Sequence, residues 1–260
     1  MRIYLINLER RKDRLAAMAA QATGLGVELD RVTALDAGTA DRGTVNRWFA
    51  NGGPLGEIPV GDKACLLSHR AAWEQFAASG EPHAVFLEDD VRLSQVAGPM
   101  LTSGAWIPAD AAVVKLEHYG PPGQRVLLAD IHAVGEDFKM GRMLSRHTGG
   151  AAYILSRNAA QLLLAEQRFD LPVDHLLFNP NNSKLFARLA PWQLLPAIAR
   201  QQEFVGEKSD IEKTRERLRS FGVAYIRREL VRFGYDLKLL PRQIAALLSG
   251  AKFVVVKTAD

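Results

Sequence analysis

Apolar and polar positions along the chain fall into a few clear patterns. RIYLINL (2–8) and HAVFL (83–87) are apolar with almost no alternation, which predicts strands buried on both faces. RRKDRLAAMAAQATGLG (10–26) carries helical spacing, with Gly24 and Gly26 as stop signals. ELDRVTALDA (28–37) predicts a second strand ending at Asp36, and RGTVNRWFANGGPLGEIP (42–59) predicts a loop with one helical turn. In GDKACLLSHRAAWEQFAASG (61–80), Leu66, His69, Trp73 and Phe76 recur at helical spacing; Asp62 is placed to cap this helix and Gly80 to end it. AAVVKLEHY (111–119) is a further strand. TGGAAYILSRNAAQLLLAEQ (148–167) reads as a Gly-rich approach, a short strand AAYIL and a helix capped near Ser156 or Asn158, and LPVDHLLF (171–178) follows. Strands alternating with helices predict an α/β fold with a mostly parallel central sheet and flanking helices.

Composition narrows the class. At 260 residues and 48% apolar, the chain can bury a sizeable core. A single cysteine, Cys65, excludes a disulfide framework and a Cys-rich metal site. The N-terminal apolar run stops at Asn7 and basic residues follow, and nothing approaches the roughly 18 uncharged apolar residues of a spanning helix. A cytoplasmic protein is the expectation. The net charge of +4 is uneven: residues 207–260 hold 12 Lys/Arg and 7 Asp/Glu, so this segment carries +5 and the rest −1. The division expected is a domain at 1–206 and a basic helical C-terminal extension at 207–260. There, Lys and Arg interleave with Phe221, Tyr225, Phe233, Leu239 and Leu240. That pattern suits either a helix packed on the domain or peripheral contact with anionic lipid. The aromatics are too sparse for a nucleic-acid stacking platform, so no nucleic-acid partner is expected.

The chemistry concentrates in AVFLEDDVRL (84–93), where Glu88, Asp89 and Asp90 follow an apolar strand directly. In open α/β sheets ligands bind beyond the carboxyl ends of strands. Hard carboxylate oxygens there suit Mg²⁺ or Mn²⁺, which complete their coordination with phosphate and water. A solvated acidic turn is the bland alternative.

INLERRKDR, GDKACLLSHRAAW, VFLEDDV, VVKLEHY and TGGAAYILSRNAAQLLL occur in this order over residues 2–178. Together they resemble glycosyltransferase family 25, the lipooligosaccharide β-galactosyltransferase-like enzymes related to collagen galactosyltransferases. The resemblance implies a GT-A-like fold, a UDP-sugar donor, Mn²⁺ or Mg²⁺, and inverting transfer of a hexose, galactose foremost, to a glycan or lipid-linked glycan acceptor. It implies donor contacts from Asn7 and Leu8 at the first strand end, from Arg10 and Arg14 as phosphate-binding forks, and from the Ser68–His69 pair. Glu88 and Asp89 would serve donor and metal, and Asp90 would touch the metal most directly with Glu88. Thr148, Gly149 and Gly150 would let the backbone approach a sugar. An inverting transfer needs a base opposite the leaving diphosphate; Asp174 is the candidate, with a helix N-cap as its structural alternative. His147 and His175 are further candidates for a metal or phosphate contact. Lys115 and Glu117 share a strand face and suit an ion pair or a sugar contact. Lys63 and Ala64 depart from the family's apolar residue and glycine, which keeps open a non-catalytic nucleotide-sugar or carbohydrate-binding protein on the same fold.

Overall fold

The computed structural model describes residues 1–121, 123–201 and 223–259, the side chains of 223–233 and 236 excepted. The first apolar run forms β1 (Arg2–Asn7). Helix α1 (Lys12–Leu25) follows and is closed by Gly26, whose φ of 66° a residue with a Cβ adopts at a cost. Strand β2 (Asp30–Thr33) is shorter than its pattern predicts. The Gly/Pro-rich segment contains one helical piece, α2 (Arg42–Asn46), capped by Asp41 through Thr44 N–H. Helix α3 (Val60–Ser79) ends at Gly80 as expected, but Asp62 is not its cap. Pro59 takes that position, and Asp62 lies buried in the first turn.

Strand β3 (His83–Glu88) runs into the acidic turn and out through β4 (Val91–Leu93), followed by α4 (Ala97–Thr102). AAVVKLEHY is not one strand. It divides into β5 (Val113–Lys115) and β6 (Glu117–His118), with Leu116 between them. Next come β7 (Arg125–Ala133), β8 (Lys139–Met143), β9 (Ala152–Ser156), α5 (Arg157–Leu164), α6 (Val173–Phe178), α7 (Phe186–Leu189), β10 (Trp192–Leu195), β11 (Ala199–Gln201), α8 (Val223–Leu248) and β12 (Lys252–Val255). Ser156 caps α5 through Ala159 N–H, one of the two positions expected.

Nine strands form the main sheet in the order β12-β7-β8-β10-β5-β9-β3-β1-β2, and β4-β11-β6 form a small second sheet. The α/β class and the large helix-flanked sheet follow the sequence pattern. The pairing is mixed rather than mostly parallel: β1 runs parallel to β2 and β3, and β10 to β5, while the other main-sheet pairs are antiparallel. An unbroken apolar run reports burial on both faces, and that burial is the same whichever way the neighbour runs.

Alternate residues of the central strands feed two cores. Tyr4, Ile6, Phe86 and Tyr153 pack on one face with Trp73 and Phe76 of α3 and Leu163 of α5. Ile3, Leu5, Val85, Leu87 and Ile154 pack on the other with Met18 and Ala22 of α1 and Leu101 of α4. Each of the larger aliphatic and Phe side chains contributes about 1.5–3 kcal/mol by leaving water. Buried this way on both sides, the strand ends are held stiffly enough to position charge.

The basic C-terminal segment is not helical to its end. Strand β12 pairs antiparallel with β7 and forms an edge of the main sheet. The chain beyond it is pinned where Ala197 N–H donates to Lys257 O and Ala259 N–H to Ala197 O, at 2.8 and 2.7 Å. The expected boundary at 206/207, Phe221, and the side chains of Tyr225 and Phe233 lie outside the described residues.

Val256 is buried in the first core, whereas Lys252 is exposed. Val256→Asp is therefore expected to lower stability by more than about 3 kcal/mol, by placing an unpaired charge in the core. Lys252→Ala is expected to stay within about 0.5 kcal/mol. Thermal or denaturant unfolding of the two variants measures the contrast.

Candidate active site

Strands β1 and β3 are parallel and adjacent, with Ile6 opposite Glu88, so Asn7 and the acidic turn emerge at the same sheet edge. Strand β9 enters at that edge, since Glu88 N–H donates to Ala151 O, and β5 leaves at it, since Leu116 N–H donates to Ala152 O. The small sheet joins them: β11 pairs with both β4, which follows the acidic turn, and β6, which carries Glu117.

Asp89 is buried and fully engaged. Asn7 Nδ2 donates to its Oδ2 at 2.7 Å and Arg14 Nη1 to its Oδ1 at 3.0 Å. Asn7 Oδ1 in turn accepts from Arg31 Nε at 3.1 Å, which fixes the orientation of the amide. The same Arg14 nitrogen lies 3.8 Å from Asp90 Oδ2.

Glu88 is held from the side of α3. His69 Nε2 stands 3.2 Å from its Oε1, and His69 Nδ1 is 2.8 Å from Tyr153 Oη, which also accepts from Trp73 Nε1 at 2.8 Å. A carboxylate only accepts, so the network assigns the proton to Nε2 and gives the chain Trp73 to Tyr153 to His69 to Glu88. Cys65 Sγ is 3.9 Å from the same oxygen. Burial, then the Glu88 charge, pushes the Cys65 thiol well above its usual range. Cys65, His69 and Glu88 place ligand atoms within 4.8 Å of one another. This set is a poor metal site, because the thiolate is disfavoured and both His69 nitrogens are engaged.

Lys115 and Glu117 form a fully buried ion pair at 2.7 Å. Lys115 also donates to Gly149 O, and Glu117 Oε1 accepts from Ala151 N–H at 2.9 Å. Gly149 has a φ of 93°, and a Cβ there would sit 2.6 Å from Tyr119 Cγ, so the backbone turn that presents this carbonyl requires glycine. Burial lowers the Lys115 pKa and raises that of Glu117, and each partner's charge opposes the shift. The main-chain carbonyls of both residues accept from buried Gln193 Nε2.

His147 completes this inner support. Its Nδ1 faces Gln193 Oε1 at 2.8 Å, and its Nε2 accepts from Tyr119 N–H at 3.2 Å. Burial, then Lys115, lowers its pKa to about 3, so it is neutral. Both nitrogens are committed to protein groups, which removes His147 as a metal or phosphate contact. His175 Nδ1 likewise engages Asn179 Nδ2 at 2.7 Å.

Two carboxylate oxygens are buried with no hydrogen-bond partner among the described residues: Asp90 Oδ1 and Glu117 Oε2. Burial, then the Glu88 charge, raises the Asp90 pKa to about 8, against the opposing pull of Arg14. Asp174 lies in the first turn of α6, where Pro172 holds the cap position, so the capping role considered from sequence is not taken. Its carboxylate makes no hydrogen bond among the described residues, and its charge acts on Lys115 and Cys65. Five carboxylates, Glu88, Asp89, Asp90, Glu117 and Asp174, thus share one field with Arg14 and Lys115.

Other sequence-predicted residues sit differently. Arg10 diverges from Arg14 and pairs with Asp36 at 2.7 Å. The carbonyls of Asn7 and Leu8 already accept from Ala34 and Arg11 N–H. Ser68 is buried between Leu35 N–H and Ala64 O, tying α3 to the segment after β2. Thr148 is half-buried, and Gly150 packs against Val173 and Asp174 of α6. Trp73 and Tyr153, which orient His69, looked from sequence like ordinary apolar positions. The signal that could have flagged them is that each has a polar group needing a partner inside a core.

Asp90 gives a pH test. A carboxyl whose folded pKa is raised destabilises the fold as it ionises. In EDTA, stability is therefore expected to fall as pH rises from the ordinary value of 3.8 toward about 8, and to level above that. Asp90→Asn is expected to flatten this slope and raise the melting temperature at pH 8. Melting curves across pH measure both.

A family model described as Glycosyltransferase family 25 (LPS biosynthesis protein) matches residues 1–177. The lacto-N-neotetraose biosynthesis glycosyltransferase LgtE of Neisseria gonorrhoeae is 30% identical over 202 residues, 68% of this chain and 70% of its own. LgtB of the same organism is 33% identical over 160 residues, 54% of this chain and 53% of its own. A glycosyltransferase 25 family member of Anopheles gambiae is 28% identical over 240 residues, 84% of this chain but 39% of its own. The chain thus spans about half of LgtB and less than half of the insect protein.

Proposed function

Because the chain belongs to glycosyltransferase family 25, we propose that it moves a hexose from a UDP-sugar to a hydroxyl of a cell-envelope glycan such as lipooligosaccharide, with inversion at the anomeric carbon. The observation that carries this reading is the pair of buried, unpartnered oxygens, Asp90 Oδ1 and Glu117 Oε2, in a field of five carboxylates at the carboxyl end of β3. Such a field attracts a divalent cation, and an orphaned buried carboxylate oxygen is costly unless something fills its place. Asp90 and Glu88 fit Mn²⁺ or Mg²⁺ as hard oxygen donors, and His69 steadies Glu88 from behind. A cation bound there would supply positive charge beside a diphosphate leaving group.

The remaining roles fall to the chain's own groups. Arg14 neutralises Asp89 and reaches toward Asp90, which keeps the turn from springing apart. Gly150 lets α6 pack closely at Val173 and Asp174, and Asp174 then acts electrostatically on Lys115 and Cys65. Asp174 is the proposed base. It takes the acceptor hydroxyl's proton as that oxygen bonds to the anomeric carbon, while the bond to the diphosphate breaks and its electron pair leaves with UDP. Galactose as the sugar rests on the family resemblance. A glycan acceptor is supported by the names of LgtB and LgtE, and an envelope glycan by the family description and by the name of a Haemophilus influenzae relative, a lipooligosaccharide biosynthesis protein. A lipid-linked acceptor fits a cytoplasmic protein held at the inner face of the membrane.

The binding-protein alternative drew on Lys63 and Ala64. Lys63 Nζ donates to Asn46 Oδ1 at 2.7 Å and lies over the Phe49 ring, toward α2 rather than the carboxylates. Its motive is thereby weakened.

UDP release from a panel of UDP-hexoses, with Mn²⁺ and a lipooligosaccharide acceptor, tests the activity. Asp174→Asn is expected to lower the rate by about 10²–10⁴-fold with unchanged UDP affinity. A near-native rate would exclude Asp174 and move the role to Glu117. UDP binding without transfer by the native chain, across the panel, would favour the binding protein.

A further inference from the structure

We propose that Arg92, Arg200 and His118, in a row across the outer face of the small sheet, bind a phosphate substituent of the acceptor glycan. Strand β11 lies between β4 and β6, and its Arg200 is registered directly opposite Arg92 on one side and His118 on the other. Directly opposed residues project to the same face, with Cβ atoms about 4.5–5.5 Å apart. One position along, Leu93, Ala199 and Glu117 are registered in the same way, and all three are buried. The row therefore stands on the other face, where both arginines are exposed and His118 is half-buried.

Like charges placed directly opposite one another across a strand pair cost stability. Elsewhere in the molecule a carboxylate answers an exposed arginine, as Asp30 does Arg2 and Asp36 does Arg10. Arg92 and Arg200 have no such answer: among the described residues neither guanidinium makes an ion pair or a hydrogen bond. Two opposed, unanswered cations need an anion. A carboxylate has two oxygens, which one guanidinium fork satisfies; a phosphoryl group has three, and can take two forks and a ring N–H. The place in the fold names the bearer. Arg92 is two residues past Asp90, about 7 Å along an extended chain, and His118 follows Glu117 directly. A glycan reacting at the carboxylates therefore lies close to this row. Three side chains in one line match a single anionic group rather than a lipid surface. The choice of an acceptor as bearer rests on the transfer proposed above; the phosphate contact itself does not.

Melting curves of the full chain in inorganic phosphate and in chloride, at equal ionic strength, test the contact. Phosphate is expected to raise the native melting temperature. Arg92→Gln with Arg200→Gln is expected to abolish that rise, and to melt at or above the native temperature in chloride because the opposed charges are gone. Binding of lipooligosaccharide, intact and after hydrofluoric acid has removed its phosphates, tests the bearer. The native chain is expected to lose affinity roughly tenfold or more on dephosphorylation, and the double variant to bind both forms equally. UDP affinity with Mn²⁺ is expected to stay native in the variant. An equal phosphate rise in the native chain and the variant would overturn the site. A rise that the variant loses, without any preference for phosphorylated lipooligosaccharide, would overturn the acceptor assignment and leave a site for free phosphate. Weakened UDP binding by the variant would move the row to the donor and overturn it equally. A native chain that transfers no sugar would fail the function proposed above while leaving the phosphate rise as it is.

Discussion

The contact of Asp89 with Asn7 and Arg14 governs the rest of the site. Three successive carboxylates at the end of a buried strand repel one another and resist leaving water. Asp89 escapes both penalties because an amide and a guanidinium take its two oxygens. Both donors come from the first fifteen residues, so the start of the chain sets the acidic turn that lies some seventy to eighty residues later. With Asp89 pinned, Glu88 and Asp90 project from a turn that cannot relax by swinging into solvent. His69 then fixes Glu88, and the strain of the remaining charge falls on Asp90, whose pKa rises to about 8.

A second, inner layer supports the sheet junction behind those charges. The buried Lys115–Glu117 pair crosses the junction of the two sheets; Gly149 O and Ala151 N–H hydrogen-bond its side chains, and Gln193, itself held by His147, bonds the main-chain carbonyls of both residues. Glu117 Oε2 is left over. Buried ion pairs seldom add net stability over an apolar filling. Their retention here is consistent with a site that needs negative charge held in a fixed place.

Much of this was legible along the chain, for identifiable reasons. β1, α1, α3, β3, β9 and α5 announce themselves because their apolar spacing is set by burial against two cores. The acidic cluster is equally plain, being consecutive in sequence. β7 and β8 were missed because Asp130, His132, Lys139 and Arg142 interrupt their apolar positions, and β10, β11 and β12 because they are short. Strand direction leaves no mark on an apolar run, so the mixed pairing was invisible. Glu117 joins Glu88–Asp90 through strand pairing, of β3 with β9 and β5 and of β4 with β11 and β6, which is tertiary information. The cap at α3 went to Pro59 because Asp62 is drawn inward, and Asp174 lies inside the first turn of α6 rather than before it.

The central claim is that these carboxylates hold a divalent cation as a complex with a diphosphate. Titrating Mn²⁺ into the protein, with free ion read from its electron paramagnetic resonance signal, tests this most directly. The account predicts weak Mn²⁺ binding alone, at least tenfold tighter binding when UDP is present, and loss of that gain in Asp90→Asn. Mn²⁺ binding that is unchanged by UDP, or a gain that persists in Asp90→Asn, would contradict it.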